Sequence, residues 1–126
     1  MEASQRQQIE HYIKSYNAFD VAGMMRDLDR NIVFENYSGK ELTHSITGLE
    51  AFRQQATEAK SYFTNRKQVI TSWEFKGNQV RIAIDYHATL AIDFPNGMKA
   101  GESLDLQGQS VFTFKQTKII KIEDRS

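Results

Sequence analysis

Apolar residues at helical spacing predict a helix near the start of the chain. They recur at the i, i+3 and i+4 spacing of one helix side: Ile9, Tyr12, Ile13 and Tyr16. We therefore predict a first helix over residues 4–18, with this side packed against a core.

Two shorter helices are predicted in the first half. Asp20 is a suitable N-cap for a helix over residues 21–29. Thr47 and Glu50 have the spacing of a capping box, in which the threonine oxygen accepts from the Glu50 amide and the Glu50 side chain reaches back. This predicts a third helix over residues 48–60. Its inward side carries Leu49, Phe52 and Ala56.

Alternation of apolar and polar residues predicts strands over most of the remaining chain. The predicted strands span residues 31–37, 41–46, 63–76, 79–93, 102–115 and 118–124. Helices early and long antiparallel strands late indicate an α+β fold. Strands of this length curl strongly, so a curved antiparallel sheet wrapped around three helices should leave a cone-shaped cavity.

The long strands carry apolar or small residues on both faces. Over residues 63–76, one face holds Val69, Thr71, Trp73 and Phe75. Over residues 79–93, Val80, Ile82, Ile84, Tyr86 and Ala88 oppose Arg81, Ala83, Asp85, His87 and Thr89. One face can serve the cavity and the other can meet a partner sheet, which predicts a homodimer through the sheet face.

The last predicted strand ends with an acid on an apolar face. Because side chains alternate, Asp124 should share a face with Ile120 and Ile122. A carboxylate there is costly to bury unless it is paired or used in chemistry. If Phe112 and these isoleucines enclose it, its pKa should rise toward the range of an acid–base catalyst. The alternative is a solvated acid at a fraying strand end.

Composition limits the function classes. The chain has 126 residues, 40% hydrophobic and 25% charged, which fits one domain over residues 1–126. Sixteen basic residues balance sixteen acidic ones, so we expect no nucleic-acid partner and no anionic membrane surface. The absence of cysteine excludes disulfides and thiolate chemistry. A polar start and the lack of any run of membrane-spanning length predict a cytoplasmic protein.

The order of the elements resembles the SnoaL-like branch of the nuclear transport factor 2-like superfamily. The resemblance covers nearly the whole chain and includes the motif Gly108-Gln109-Ser110-Val111-Phe112-Thr113-Phe114 leading to Lys118-Ile119-Ile120. Each motif is weakly specific by itself, and the order and spacing of all the elements carry the resemblance. The resemblance implies a cystatin-like cone, usually dimeric. Members include polyketide cyclases, ketosteroid isomerases, limonene epoxide hydrolases, dehydratases and proteins with no known reaction, so the fold does not settle the function.

Likeness to the ketosteroid isomerases is partial. Tyr12 lies where they have an oxyanion-stabilising tyrosine, and Ser110 lies near their second oxyanion donor. Their general base falls at Asn36. An amide cannot take a proton near neutral pH, so steroid-type isomerisation is disfavoured.

Likeness to the epoxide hydrolases is also partial. The segment Phe34-Glu35-Asn36 resembles one whose asparagine helps to hold the attacking water. Asp124 matches a carboxylate on the final strand of those hydrolases and of the polyketide cyclases. The hydrolases also need an arginine and an aspartate two residues apart, whereas Arg81 and Asp85 lie four apart.

These considerations predict a set of site residues. The catalytic candidates are Asp124, which would move a proton, and Asn36 and Tyr12, which would polarise a substrate oxygen. The ligand-binding candidates are Phe34, Tyr16, His87, Ser110 and Phe112. His87 could pair with Asp124 or Asp85, although a histidine at such a position more often only packs or hydrogen-bonds. Tyr12 and Asn36 also have ordinary explanations, as a core tyrosine and a strand-end asparagine.

Three functions fit this set. The first is a cofactor-independent enzyme that isomerises, cyclises, dehydrates or hydrolyses a small, largely apolar molecule. The second is a module that binds such a molecule without chemistry, and the third is a dimerisation domain. No histidines have metal-ligand spacing and no phosphate-binding loop occurs, so we expect neither a metal nor a cofactor.

Overall fold

The computed structural model describes residues 2–126, which form three helices and six strands. In chain order these are α1 (Glu2–Asn17), α2 (Val21–Met25), β1 (Leu28–Ser38), β2 (Glu41–Thr47), α3 (Leu49–Lys60), β3 (Phe63–Lys76), β4 (Gln79–Leu90), β5 (Ser103–Lys115) and β6 (Lys118–Arg125). The predicted α+β order is confirmed. No helix among these residues is long and apolar enough to cross a membrane.

All six strands form one curved sheet in the order β2-β1-β6-β5-β4-β3. Neighbours are antiparallel except β1 and β6, which are parallel. The sheet wraps around the three helices and leaves a cone-shaped cavity between them. The parallel pairing makes Asn36 and Asp124 neighbours in register, because the last strand returns beside the first.

The core lies between the helices and the inner face of the sheet. Helix α1 and four different strands contribute fully enclosed side chains: Ile9, Ile32, Ile82, Phe112 and Ile122. Burying one such side chain contributes about 1.5–3 kcal/mol relative to leaving it in water. This packing forms the wall against which the cavity is built.

An irregularity in β6 changes which residues face inward. The register of β6 against β5 shifts between Thr113 and Phe114. As a result Ile119 is buried in the core, whereas the predicted Ile120 is only partly buried. Asp124 therefore shares its inward face with Ile122 and not with Ile120, because one extra residue in a strand inverts the alternation.

The same effect occurs in β3. Its register against β4 shifts just after Ile70. Ile70, Trp73 and Phe75 pack on the core, whereas Val69 and Thr71 are exposed. The prediction of one face carrying Val69, Thr71, Trp73 and Phe75 is therefore wrong.

The two predicted helix caps have different outcomes. Asp20 does cap α2, since Oδ1 accepts from the Gly23 amide over 2.9 Å. The capping box is wrong, because Thr47 stays in β2 and the chain turns into α3 at Gly48, whose φ is 97°. The Glu50 side chain pairs with Arg53 instead.

Candidate functional site

A cavity of about 170 Å³ lies inside the cone. Its apolar wall is formed by Met24, Phe34, Ile46, Phe52, Ala56 and Ala59. Its polar wall is formed by Tyr12, Tyr16, Gln55, Arg66, Gln68, Ser110 and Asp124. A protein cavity of about 150 Å³ can hold benzene, so this cavity has room for a small ring-sized molecule.

A recess of about 250 Å³ adjoins the cavity. The cavity and the recess share Tyr16, Gln68, Ser110 and Asp124. The recess also reaches Asn36 on β1 and the middle of β4 and β5. The carboxyl group of Asp124 therefore lies at the junction of the two spaces, in reach of a molecule in either.

Asp124 is a half-buried acid held by one hydrogen bond. The buried Ser110 hydroxyl donates to Asp124 Oδ1 over 2.6 Å. Burial raises the pKa of Asp124 to about 6, and the bond from Ser110 opposes this rise only in part. No cation among residues 2–126 forms an ion pair with this carboxyl group. The group can therefore gain or lose a proton near neutral pH.

Tyr12 presents an unpaired hydroxyl to the cavity. The residue is buried, its ring packs edge-on against Phe112, and its hydroxyl has no hydrogen bond among residues 2–126. Burial and the nearby Asp124 carboxylate both raise the pKa of Tyr12 well above its usual value. The hydroxyl therefore stays protonated and can donate to an oxygen of a bound molecule.

A hydrogen-bonded pair of tyrosines borders the recess. The hydroxyl groups of Tyr16 and Tyr86 are hydrogen-bonded over 2.9 Å. Burial raises the pKa of both tyrosines above the usual value. Both hydroxyl groups therefore remain neutral hydrogen-bonding groups and not bases.

Arg66 is the basic residue of the cavity wall. Its Nε donates to the Tyr16 carbonyl over 2.9 Å, and its guanidinium lies over the Tyr16 ring, 3.7 Å from the centroid. It is 5% exposed. Among residues 2–126, no group of three or more histidine, aspartate and glutamate side chains converges as for a metal ion.

The sequence matches a family profile described as the SnoaL-like domain, over residues 9–122. The chain belongs to the SnoaL-like domain family. No curated protein matches the chain in sequence. The predicted family is confirmed on a match that covers most of the chain.

Solved structures share the fold at low sequence identity. TsrD from Streptomyces laurentii has a TM-score of 0.81 and 14% identity, covering 98% of this chain and 88% of its own. A proposed SnoaL-like polyketide cyclase from Jannaschia sp. CCS1 has a TM-score of 0.79 and 10% identity, covering 97% and 84%. IdmH, a proposed polyketide cyclase from Streptomyces antibioticus, has a TM-score of 0.77 and 11% identity, covering 94% of this chain and 88% of its own. These likenesses confirm the predicted cone and establish the fold alone.

In this SnoaL-like domain, five of the predicted site residues line one cavity: Asp124, Tyr12, Tyr16, Phe34 and Ser110. They come from α1, β1, β5 and β6, which the sheet order brings around one space. Phe34 packs edge-on against Phe52 of α3 and forms part of the apolar wall.

Two other predicted residues lie beside the cavity. Asn36 lines the recess, where its Nδ2 donates to Thr43 Oγ1 over 2.9 Å. The Asn36 amide is therefore already engaged at the rim of the sheet. Phe112 is fully enclosed behind Tyr12 and supports the cavity wall from the core.

His87 lies on the other side of the sheet. It is exposed, and its Nδ1 pairs with Asp105, its register partner on β5. The pairing with Asp124 or Asp85 does not occur, because His87 alternates with the inward Tyr86 and so points outward, where it hydrogen-bonds Asp105 instead.

Sequence reasoning missed Arg66, Gln68 and Gln55 as cavity residues. Scattered basic residues are usually solvated, and the alternation of β3 is inverted by its irregularity, so pattern alone concealed Arg66. One signal was available: Arg66 and Gln68 lie two residues apart and share a strand face with the apolar Ile70.

Proposed function

We propose that the cavity binds a small, largely apolar molecule and that Asp124 transfers a proton to or from it without a cofactor. The observation that carries this proposal is the carboxyl group at the junction of cavity and recess, with a pKa raised to about 6 by burial. A general acid or base works best when its pKa lies near the working pH.

The arrangement suits proton abstraction next to a carbonyl group. The Asp124 carboxylate takes a proton from carbon, and the negative charge moves to the carbonyl oxygen. Tyr12 donates a hydrogen bond to that oxygen. Return of the proton from Asp124 to a different atom completes an isomerisation or prepares a cyclisation or dehydration. Two neighbours in fold are proposed polyketide cyclases, which is compatible with this chemistry.

A binding module without chemistry is the second candidate. One observation favours it: the Asn36 amide is tied to Thr43, so it is less available to polarise a substrate oxygen. In that case Asp124 would serve only as a polar contact for the ligand, and no proton would be exchanged.

Deuterium exchange distinguishes the two candidates without knowledge of the natural substrate. The protein is incubated in D₂O with a panel of small ring ketones, and loss of the protons next to the carbonyl group is followed by NMR. The proposal predicts that at least one compound exchanges faster with the wild type than with Asp124→Asn. Compounds that bind both forms and exchange with neither would instead support a binding module.

Tyr12→Phe is predicted to slow such exchange by about 100- to 1,000-fold, as the loss of one oxyanion donor does elsewhere. The fold should be unaffected, because this hydroxyl has no hydrogen bond to residues 2–126. Tyr62→Phe is the matched control, since the Tyr62 hydroxyl binds Glu58 outside the cavity. Equal rates for Tyr12→Phe and wild type would exclude this role.

We also propose a homodimer through the outer face of the sheet. The described helices cover only the inner face, and the long strands β3 to β5 leave Val69 exposed on the outer one. A specific interface should bury on the order of 1,000 Å² or more. Light scattering at micromolar concentration should give twice the monomer mass, and a monomer would refute the proposal.

A further inference from the structure

Arg66 is a buried cation with an enclosed nitrogen, Nη2, that has no hydrogen-bond acceptor among residues 2–126. Its Nε has an acceptor in the Tyr16 carbonyl. No aspartate or glutamate in the same residues forms an ion pair with it. A buried charge without a partner is costly. A ligand in the cavity that Arg66 lines is positioned to supply the missing partner.

The surrounding aromatic residues hold the guanidinium in place. It lies 3.7 Å from the centroid of the Tyr16 ring and 4.5 Å from that of Phe19. Phe19 has a φ of 59°, a left-handed conformation that residues other than glycine rarely adopt. This conformation ends α1 with the Phe19 ring against Arg66. The cation is therefore preorganised, and a ligand need not order it.

Gln68 adds a second unused group to the same wall. Its Oε1 is enclosed and has no donor among residues 2–126. Gln68 lines both the cavity and the recess, as Tyr16 does. A ligand that satisfies both residues carries an anionic oxygen that accepts from Arg66 and a hydroxyl group that donates to Gln68. The apolar residues that line the same cavity, among them Phe34 and Phe52, suit a ring.

We propose that Arg66 is the anion-binding residue of the cavity, and that the ligand is a small hydroxylated ring carboxylate. This inference rests on one part of the proposed function, namely that the cavity takes a small molecule. It does not require proton transfer by Asp124.

The test compares benzoate with benzamide, its neutral counterpart of similar shape, by NMR titration at pH 8. A hydrogen-bonded charge pair should make benzoate bind the wild type about 10- to 100-fold more tightly. Arg66→Met should reduce this preference to less than about twofold. Arg81→Met, which removes an exposed arginine on the outer face, should keep the preference. Equal affinity of the wild type for both compounds, or binding of neither, would overturn the inference.

Arg66→Lys is a second variant for the case that Arg66→Met does not fold, since Arg66 also supports Tyr16 through a hydrogen bond. This variant keeps the charge, so it should still prefer benzoate, with weaker binding than the wild type. If circular dichroism shows that Arg66→Met is unfolded, the test rests on the wild-type comparison and on Arg66→Lys. A lysine variant that folds and binds both compounds equally would contradict a charge-based role.

Asp124→Asn separates this inference from the proposed function. It removes a negative charge from the same cavity, so benzoate should bind it at least as tightly as the wild type at pH 8. A benzoate preference without any proton exchange would refute the acid–base function alone. Proton exchange without a benzoate preference would refute the anion site alone.

Discussion

Asp124→Asn is expected to leave the fold intact and to lower turnover by about 100- to 10,000-fold, the usual contribution of a general acid or base. The asparagine keeps the shape of the side chain and can still accept from Ser110, as Asp124 Oδ1 does. It cannot take or give a proton at the junction of cavity and recess. Initial rates on any substrate found by deuterium exchange measure the effect.

Asp105→Asn is the matched control for this substitution. Asp105 is an exposed acid on the outer face of the sheet, where it pairs with His87. Its loss should leave the rate unchanged. A rate for Asp124→Asn within about threefold of the wild type, at equal folded fraction, would contradict catalysis by this carboxyl group.

The same substitution is expected to change how stability depends on pH. Burial raises the pKa of Asp124 from 3.8 to about 6 in the folded protein. Between these values the folded state holds more of this proton than the unfolded state, so stability falls as pH rises through this window. Below about pH 4 both states are protonated, so the free-energy cost of burying a charged carboxylate is absent. Above about pH 6 this cost is fully present.

Asp124→Asn removes this cost. The difference in free energy of unfolding between Asp124→Asn and the wild type should therefore shift in favour of the variant by roughly 1–3 kcal/mol between pH 4 and pH 8. Urea denaturation at pH 4, 6 and 8 measures this gain, and the other titrating groups cancel in the comparison. Parallel pH profiles for the two proteins would show that the carboxyl group is solvated. A variant that loses turnover and gains stability at pH 8 would show that the acid is kept for function and not for folding.

The fold could be predicted because local sequence patterns indicate most of its helices and strands. Residues 63–76 form β3 with the predicted bounds, and Asp20 caps α2 as its spacing indicates. Three of the errors, in β3, in β6 and at the start of α3, have one kind of cause, a single residue that changes the alternation or the turn. Ile119 replaces Ile120 in the core because of an extra residue in β6. Gly48 occupies the N-cap position of α3, which Thr47 was expected to take.

The site could be predicted only where its residues stand out in their own element. Asp124 is visible as an acid on an apolar face, and Tyr12 lies within an apolar helix side. Arg66 became a cavity residue through contacts with Tyr16 and Phe19, which lie far from it in the chain. Such long-range contacts cannot be read from the sequence, where the only signal for Arg66 is that it alternates in step with Gln68 and Ile70.

The most direct test of the central claim is an NMR titration of the Asp124 carboxyl carbon in ¹³C-labelled protein. The signal is assigned by its loss in Asp124→Asn, and Asp105 serves as the exposed reference. The structure predicts a pKa of about 6 for Asp124, because burial disfavours its charged form and no cation among residues 2–126 compensates. A pKa at or below about 4, the ordinary value for a solvated aspartate, would contradict the proposed acid–base role.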